Sequence, residues 1–349
     1  MSGLKERIEA GLSGKFRGLD NGFTDINKYI FGVQKKCYTL LGGASGSYKT
    51  TLLDYIILHA LRDAIKKGIP IDIFYYSFEI DALSKQCSWI SQIVYLNYGI
   101  EIPPEKIKGL GDNRLSLEEQ EIVNSVIPEV EELFSKIKFV FEPTNSTGIY
   151  NDVFKHCAAQ GELVYTPYTD ENNVEQKRIT GFIPKDFRYT IIAVDHIALQ
   201  KCEKRFTTLK ENLDKLSSYF VILRNVFDVS IFALQQFNQG LNAVDRQKFK
   251  GIDISPSQND YKDSTNPYTD ADVVLATMNA HKLDLETCLG YDIKKLRDRF
   301  IMLKIIKNRL SRDNIAKGLY VHPQSGRFEE LPKAEEFKKN PKLYEQYGK

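Results

Sequence analysis

Two periodicities alternate along this chain. Residues 37–41 form a short apolar run that enters a glycine-rich loop. Leu52, Leu53, Ile56, Ile57, Ala60, Leu61, Ala64 and Ile65 then recur at spacings of three and four, the signature of one buried helix face. Gly68 and Pro70 end that helix, and the apolar run 71–78 follows as a second strand. Strand, helix and strand at these lengths make the unit that parallel sheets require. Further strands are predicted at 137–141, 189–195, 230–234, 271–278 and 301–306, with a long amphipathic helix over 207–227. This alternation predicts an α/β fold, a doubly wound and mostly parallel sheet with helices on both faces.

Other stretches break the rhythm. Residues 3–11 read as a short helix with Leu4 and Ile8 on one edge, too short to stand alone. Residues 101–136 are acidic and helical in pattern. Residues 160–188 are polar, and Asp170, Glu171, Asn172 and Asn173 form a turn between 163–168 and 177–183, which predicts an inserted β-hairpin. A terminal hairpin is expected over 318–331. The expected division is an N-terminal arm over 1–17, a main α/β domain over 18–331 that carries the insertion, and a C-terminal tail over 332–349.

The chemistry concentrates in Gly42-Gly-Ala-Ser-Gly-Ser-Tyr-Lys-Thr-Thr51. A phosphate-binding loop needs small residues so that backbone N–H groups can close on phosphate oxygens. It also needs a lysine for the β- and γ-phosphates and a hydroxyl for Mg²⁺, at a helix N-terminus. Gly43, Ala44, Ser45, Gly46, Ser47, Tyr48, Lys49, Thr50 and Thr51 supply that set, with Thr50 on the metal. Tyr48 stands where the pattern has glycine; right-handed helical dihedrals there would let its ring point away from phosphate. Glu79 ends the second strand, where a carboxylate can orient an attacking water. Asp195 ends a buried strand and is a candidate Mg²⁺ ligand, directly or through water. ATP and Mg²⁺ are the expected ligands.

Composition narrows the partners. A net charge of +2 over 349 residues rules out a polycation, so any nucleic-acid contact must come from a local basic strip. Arg246, Lys248, Lys250 and Lys262, in the polar loop 240–262, form such a strip and are candidates for single-stranded DNA. The five cysteines are scattered, with no zinc spacing, and no apolar run reaches transmembrane length; a cytoplasmic protein with reduced thiols and no membrane partner is expected.

The order of these motifs resembles the ATPase domain of DnaB-type replicative helicases, a hexameric branch of the RecA-like fold, from Gly18 to Leu331. Gly18-Leu-Asp-Asn-Gly-Phe-Thr-Asp25 followed by Gly32 is similar to that family's lead-in to the P-loop. Phe78-Glu79 resembles its catalytic glutamate and Val194-Asp195 its Mg²⁺-site aspartate. Ala233-Leu-Gln-Gln-Phe-Asn238 resembles the strand with a polar sensor, which falls on Gln236. Lys262 falls where the family has an arginine on single-stranded DNA. Lys307-Asn-Arg309 resembles the lysine and arginine fingers that reach the next subunit's ATP. His322-Pro-Gln-Ser-Gly-Arg-Phe-Glu329 matches the terminal hairpin.

The resemblance implies an ATP-hydrolysing 5'-3' helicase in DNA replication, a homo-oligomeric and hexameric ring, and a loader or primase as partner. Tyr48 departs from the family, as does Gln239, which stands where arginine is more frequent. Because the resemblance begins at Gly18, the family's N-terminal helical domain is expected to be missing, as in a compact phage or mobile-element form. A strand-exchange recombinase and a nucleotide-gated scaffold or loader are the alternatives. A small-molecule kinase fits the loop but not the residues at 307–309.

Overall fold

A computed structural model describes residues 17–203, 208–237, 255–261 and 265–348, with Lys5, Ile8, Glu9, Gly11 and Leu12 before them in helical conformation. Strand β1 (Cys37–Gly43) leads through the glycine-rich loop into helix α1 (Lys49–Lys66), and β2 (Ile71–Ser77) follows. Helices α2 (Ala82–Tyr98) and α3 (Leu117–Phe134) precede the short strand β3 (Ile137–Val140). Helix α4 (Ser146–Ala158) leads to the hairpin β4 (Gly161–Thr169) and β5 (Glu175–Pro184), then to β6 (Tyr189–Asp195). Helix α5 (Leu209–Phe227), β7 (Ser230–Gln236), α6 (Thr265–Asp270) and β8 (Val273–Asn279) complete the parallel region. After a small ladder of β9 (Thr287–Cys288) and β10 (Tyr291–Asp292) come β11 (Phe300–Asn308), β12 (Ile315–His322) and β13 (Arg327–Glu330). The chain closes with α7 (Ala334–Lys339) and α8 (Lys342–Tyr347).

One nine-stranded sheet runs β13-β12-β11-β8-β1-β7-β6-β2-β3. The strands from β8 to β3 are parallel, whereas β11, β12 and β13 are antiparallel additions. The predicted α/β architecture with an inserted and a terminal hairpin is therefore present. Every residue of β1 and β6 is buried, as expected for strands covered on both faces. Their side chains alternate between two cores. Cys37, Leu41, Ile191 and Ala193 join α1, α2 and α3; Tyr38, Leu40, Ile192 and Val194 join α4 and α5. A third core, around Phe300, Met302 and Tyr320, is closed by Phe337 of α7, so residues past 332 pack on the antiparallel end.

Among the described residues, four of the five helices with thirteen or more residues start at a side-chain cap. Asp81 caps α2, Asn145 caps α4, and Ser116 and Thr208 form capping boxes with Glu119 and Glu211 at α3 and α5. Among these long helices α1 differs: its N-cap is Tyr48 and no side chain caps it.

Candidate functional site

Because β1 is flanked by β7 on one side and β8 on the other, its carboxyl end opens at the position where the chain changes direction across the sheet. Ligands of open α/β sheets bind in that crevice. Residues 42–48 arch over it. Ala44, Ser45 and Gly46 face solvent while Ser47 is buried. The Ser47 hydroxyl donates to the Ala44 carbonyl (2.8 Å) and lies 2.9 Å from Thr277 Oγ1 on β8, which ties the arch to the neighbouring strand. Gly43 must lack a side chain, since a Cβ there would fall 2.4 Å from Ser47 Oγ and 2.6 Å from Thr277 Oγ1.

The first N–H groups of α1 have no side-chain cap, and its first turn holds no acidic residue. These donors and the helix dipole point into the crevice, the arrangement that accepts phosphate. Lys49 Nζ donates to the Ala44 carbonyl at 2.8 Å. Burial holds its pKa below the ordinary lysine value, while the charges of Asp195 and Glu79 oppose that shift.

Tyr48 corrects the expectation from sequence. Its φ of 62° and ψ of 29° are left-handed, not right-handed, so tyrosine occupies the conformation that favours the glycine it replaces. Its half-buried ring packs against the core that contains α1, which compensates part of that strain.

Two strand ends face the arch. Register pairs Ser77 with Asp195, and the Phe78 N–H donates to the Asp195 carbonyl at 2.9 Å, so Glu79 emerges beside Asp195. Thr50 Oγ1 donates to Asp195 Oδ1 at 3.1 Å, whereas Asp195 Oδ2 is buried without a partner among the described residues. Burial pushes the Asp195 carboxyl up to about 6, against the attraction of Lys85. A carboxylate with one orphaned oxygen beside a threonine hydroxyl fits a Mg²⁺ ion. No cluster of three His, Cys, Asp or Glu side chains occurs among the described residues. That donor set suits a cation that keeps its waters and takes phosphate oxygens. Glu79 is exposed, and its charge acts on Lys49, Asp195 and His196. On the other flank, Gln236 pairs in register with Gly43, and the Phe237 N–H donates to the Gly43 carbonyl at 3.1 Å.

The structure thus brings together the glycine-rich loop, Lys49, Thr50, Thr51, Glu79, Asp195 and Gln236. It does not bring Lys307 and Arg309 to the same crevice. In register, Lys307 and Asn308 lie opposite Val274 and Val273, near the amino end of the parallel strands. Lys307 Nζ donates to the carbonyls of Tyr268 (2.9 Å) and Thr269 (2.7 Å), and Arg309 pairs with Asp272 at 3.2 Å. Arg246, Lys248, Lys250 and Lys262 lie outside the described residues.

Some site residues were missed from sequence. Thr277 comes from a strand whose adjacency to β1 no local pattern reveals. His196 follows Asp195 directly, so its position alone could have flagged it; burial lowers its pKa. Lys282 sits against the arch, since a Cβ on Gly46 would fall 2.0 Å from its Nζ.

The strand order and the mostly parallel sheet define a RecA-like α/β fold. The fold is that of the ATPase domains of DnaB-like replicative helicases. A solved DnaB-like replicative helicase, studied with its primase, superposes with a TM-score of 0.66 at 15% identity, over 90% of this chain and 64% of that one. A stand-alone ATPase-domain structure gives 0.68 at 15% identity, over 95% and 97%. A KaiC-like protein from Pyrococcus horikoshii gives 0.47 at 16% identity. The chain thus spans less than two thirds of the length of that helicase, 64%. Neither a protein-family model nor a curated protein sequence matches the chain.

Proposed function

We propose that this protein is an ATP-dependent DNA helicase or translocase of the DnaB type, acting in the cytoplasm during replication. The observation that carries the proposal is the contrast at helix α1. Helices α2 to α5 have side-chain caps, whereas α1 leaves its first donors open beneath Lys49 and beside an aspartate with an unpaired oxygen. Gly43, Ala44, Ser45, Gly46, Ser47 and Tyr48 would wrap the phosphates, with Lys49, Thr50 and Thr51 at the helix start. Thr50 and Asp195 would hold Mg²⁺, which when bound neutralises phosphate charge. Glu79 accepts a proton from the attacking water, and Gln236, beside Gly43, senses the γ-phosphate.

Lys307 and Arg309 are assigned to the ATP of a neighbouring subunit, because they lie by the amino ends of the parallel strands, away from their own chain's crevice. The site is then complete only in a homo-oligomer, for which a hexameric ring is the arrangement proposed. Arg246, Lys248, Lys250 and Lys262 would line its pore and follow one DNA strand in the 5'-3' direction, with a loader or primase as further partner. A second reading, a nucleotide-gated scaffold that hydrolyses slowly, draws support from the strained Tyr48. ATP hydrolysis with and without single-stranded DNA, in wild type, Lys49→Ala and Arg309→Ala, separates the two. DNA stimulation lost in both variants supports the motor; tight nucleotide binding with no DNA response supports the scaffold.

A further inference from the structure

A charged group lies one helical turn below the proposed magnesium site, in a layer that is otherwise apolar. Asp54 follows Thr50 by four residues on α1 and so sits beneath it on the same face. Lys85 of α2 and Tyr75 of β2 meet it there. Lys85 Nζ lies 3.1 and 3.0 Å from the two Asp54 carboxylate oxygens and 3.1 Å from the Tyr75 hydroxyl, which itself donates to Asp54 at 2.7 Å. Lys85 is 1% exposed and Asp54 3%, and Trp89, Ile93 and Leu53 are among the buried apolar residues of the same core.

A buried ion pair is a poor way to gain stability, because desolvation cancels most of its attraction and an apolar pair of like volume usually does as well. What it provides is direction. Tyr75 precedes Glu79 by four residues and Lys85 follows it by six, so both approaches to the glutamate are fastened to one carboxylate of the P-loop helix. Between them the Ser77 hydroxyl donates to the Ile80 carbonyl at 3.1 Å, and Asp81 caps α2. The span that carries Glu79 is thus anchored at both ends to the helix that carries Lys49 and Thr50.

We propose that Asp54, Lys85 and Tyr75 form a positioning triad that fixes the Glu79 segment relative to the P-loop helix. The proposal rests on the reading of Glu79 as the residue that orients water. The charges of Lys85 and Asp54 also reach Asp195, the first favouring its ionised form and the second opposing it. A displaced triad would therefore disturb both carboxylates of the site.

The test replaces the whole polar group with apolar residues of similar shape, Asp54→Leu with Tyr75→Phe and Lys85→Met, in the full chain. Removing all partners together leaves no orphaned buried charge. The thermal midpoint should stay at or above that of wild type. Amide exchange over residues 78–84 should accelerate by about tenfold or more. The kcat for ATP should fall by about tenfold with KM within about twofold, the pattern of a misplaced reacting group.

Wild-type exchange over 78–84 would overturn the proposal, whether or not hydrolysis fell, because the triad would then not be holding that segment. Should the triple variant not fold, Tyr75→Phe alone removes one hydroxyl and keeps the ion pair. Exchange over 78–84 should then rise about two- to fivefold, and no change would sink the proposal. Absence of ATP hydrolysis in wild type would refute the functional reading separately, while the exchange result would still decide the triad.

Discussion

The two ends of the parallel strands differ in how their charged groups are held, although the amino ends too keep buried atoms without partners among the described residues, Tyr38 Oη and Arg188 Nε. At the carboxyl ends, Asp195 Oδ2, Gln235 Oε1 and Asn279 Nδ2 are buried without partners among the described residues, and α1 begins without a side-chain cap. At the amino ends, Asp272 accepts from the Tyr38 N–H (2.9 Å), Arg224 (2.8 Å) and Arg309 (3.2 Å), and Lys307 is held by two carbonyls. A buried carboxylate oxygen without a partner is costly, and at the carboxyl edge it stands beside Thr50 and the uncapped start of α1, a combination suited to something that arrives. The amino-end cations have already found partners within the chain. To serve a neighbour's nucleotide they must exchange those partners, which makes their engagement switchable in a way the crevice is not.

Lys49→Ala should give the largest effect that breaks this contrast. Among the described residues Lys49 donates to the Ala44 carbonyl alone, so its loss should leave the thermal midpoint nearly unchanged. Hydrolysis should fall by ~10³-fold, the order of a lost transition-state charge. A variant that keeps its turnover would show that the carboxyl edge is not the phosphate site.

Arg309→Ala comes next, with hydrolysis expected to fall by ~10²-fold, since an arginine supplied in trans stabilises developing phosphate charge. The sharper test mixes Arg309→Ala with Lys49→Ala. In a ring with random subunit exchange, about a quarter of the interfaces would carry an intact Lys49 facing an intact Arg309, and activity should return to about that level. No recovery would place Arg309 in a structural role, tied to Asp272.

Asp195→Asn should trade activity for stability. The Asp195 carboxyl titrates at about 6 in the fold against 3.8 unfolded, so the folded state binds its proton more tightly. Such a group destabilises the fold at neutral pH, and that cost disappears as pH falls from above 6 to below 4. The asparagine variant should therefore be more stable than wild type at pH 7.5, by at most about 3 kcal/mol. The gain should vanish near pH 4. Denaturation midpoints across that range check it, and an equal gain at both pH values would point to packing and not to charge.

What was legible in the sequence was local. The spacing of Leu52, Leu53, Ile56 and Ile57 marked α1, and the loop, Glu79 and Asp195 were each readable as the end of an apolar strand. The order of strands was not legible, because β7 and β8 flank β1 from more than 190 residues away and no short-range pattern states which strand lies next to which. Thr277 and Lys282 were missed for that reason. The Asp54 and Lys85 pair was hidden too, since each looks like one surface charge on an amphipathic helix, and only packing brings them within 3.0 Å. Lys307-Asn-Arg309 was readable as a motif, yet its distance from the chain's own crevice emerged only from the antiparallel register of β11.

Tyr48 lies where the two kinds of information conflict, and it yields the smallest and cleanest prediction. Its left-handed conformation costs a residue with a Cβ about 1–2 kcal/mol, while its ring recovers part of that by packing on the core. Replacing it with glycine removes strain and ring together, so the change relative to wild type mixes two opposing terms. Tyr48→Ala removes the ring but keeps the Cβ, and the difference between the two variants isolates the backbone. At a position with φ near 62°, glycine should be the more stable by about 1 kcal/mol, even though glycine is the more flexible residue in the unfolded chain. Chemical denaturation of both variants measures this directly. If alanine proves equal to glycine, the loop at Tyr48 is not left-handed in solution, and the departure from the glycine pattern would carry no strain for the crevice to absorb.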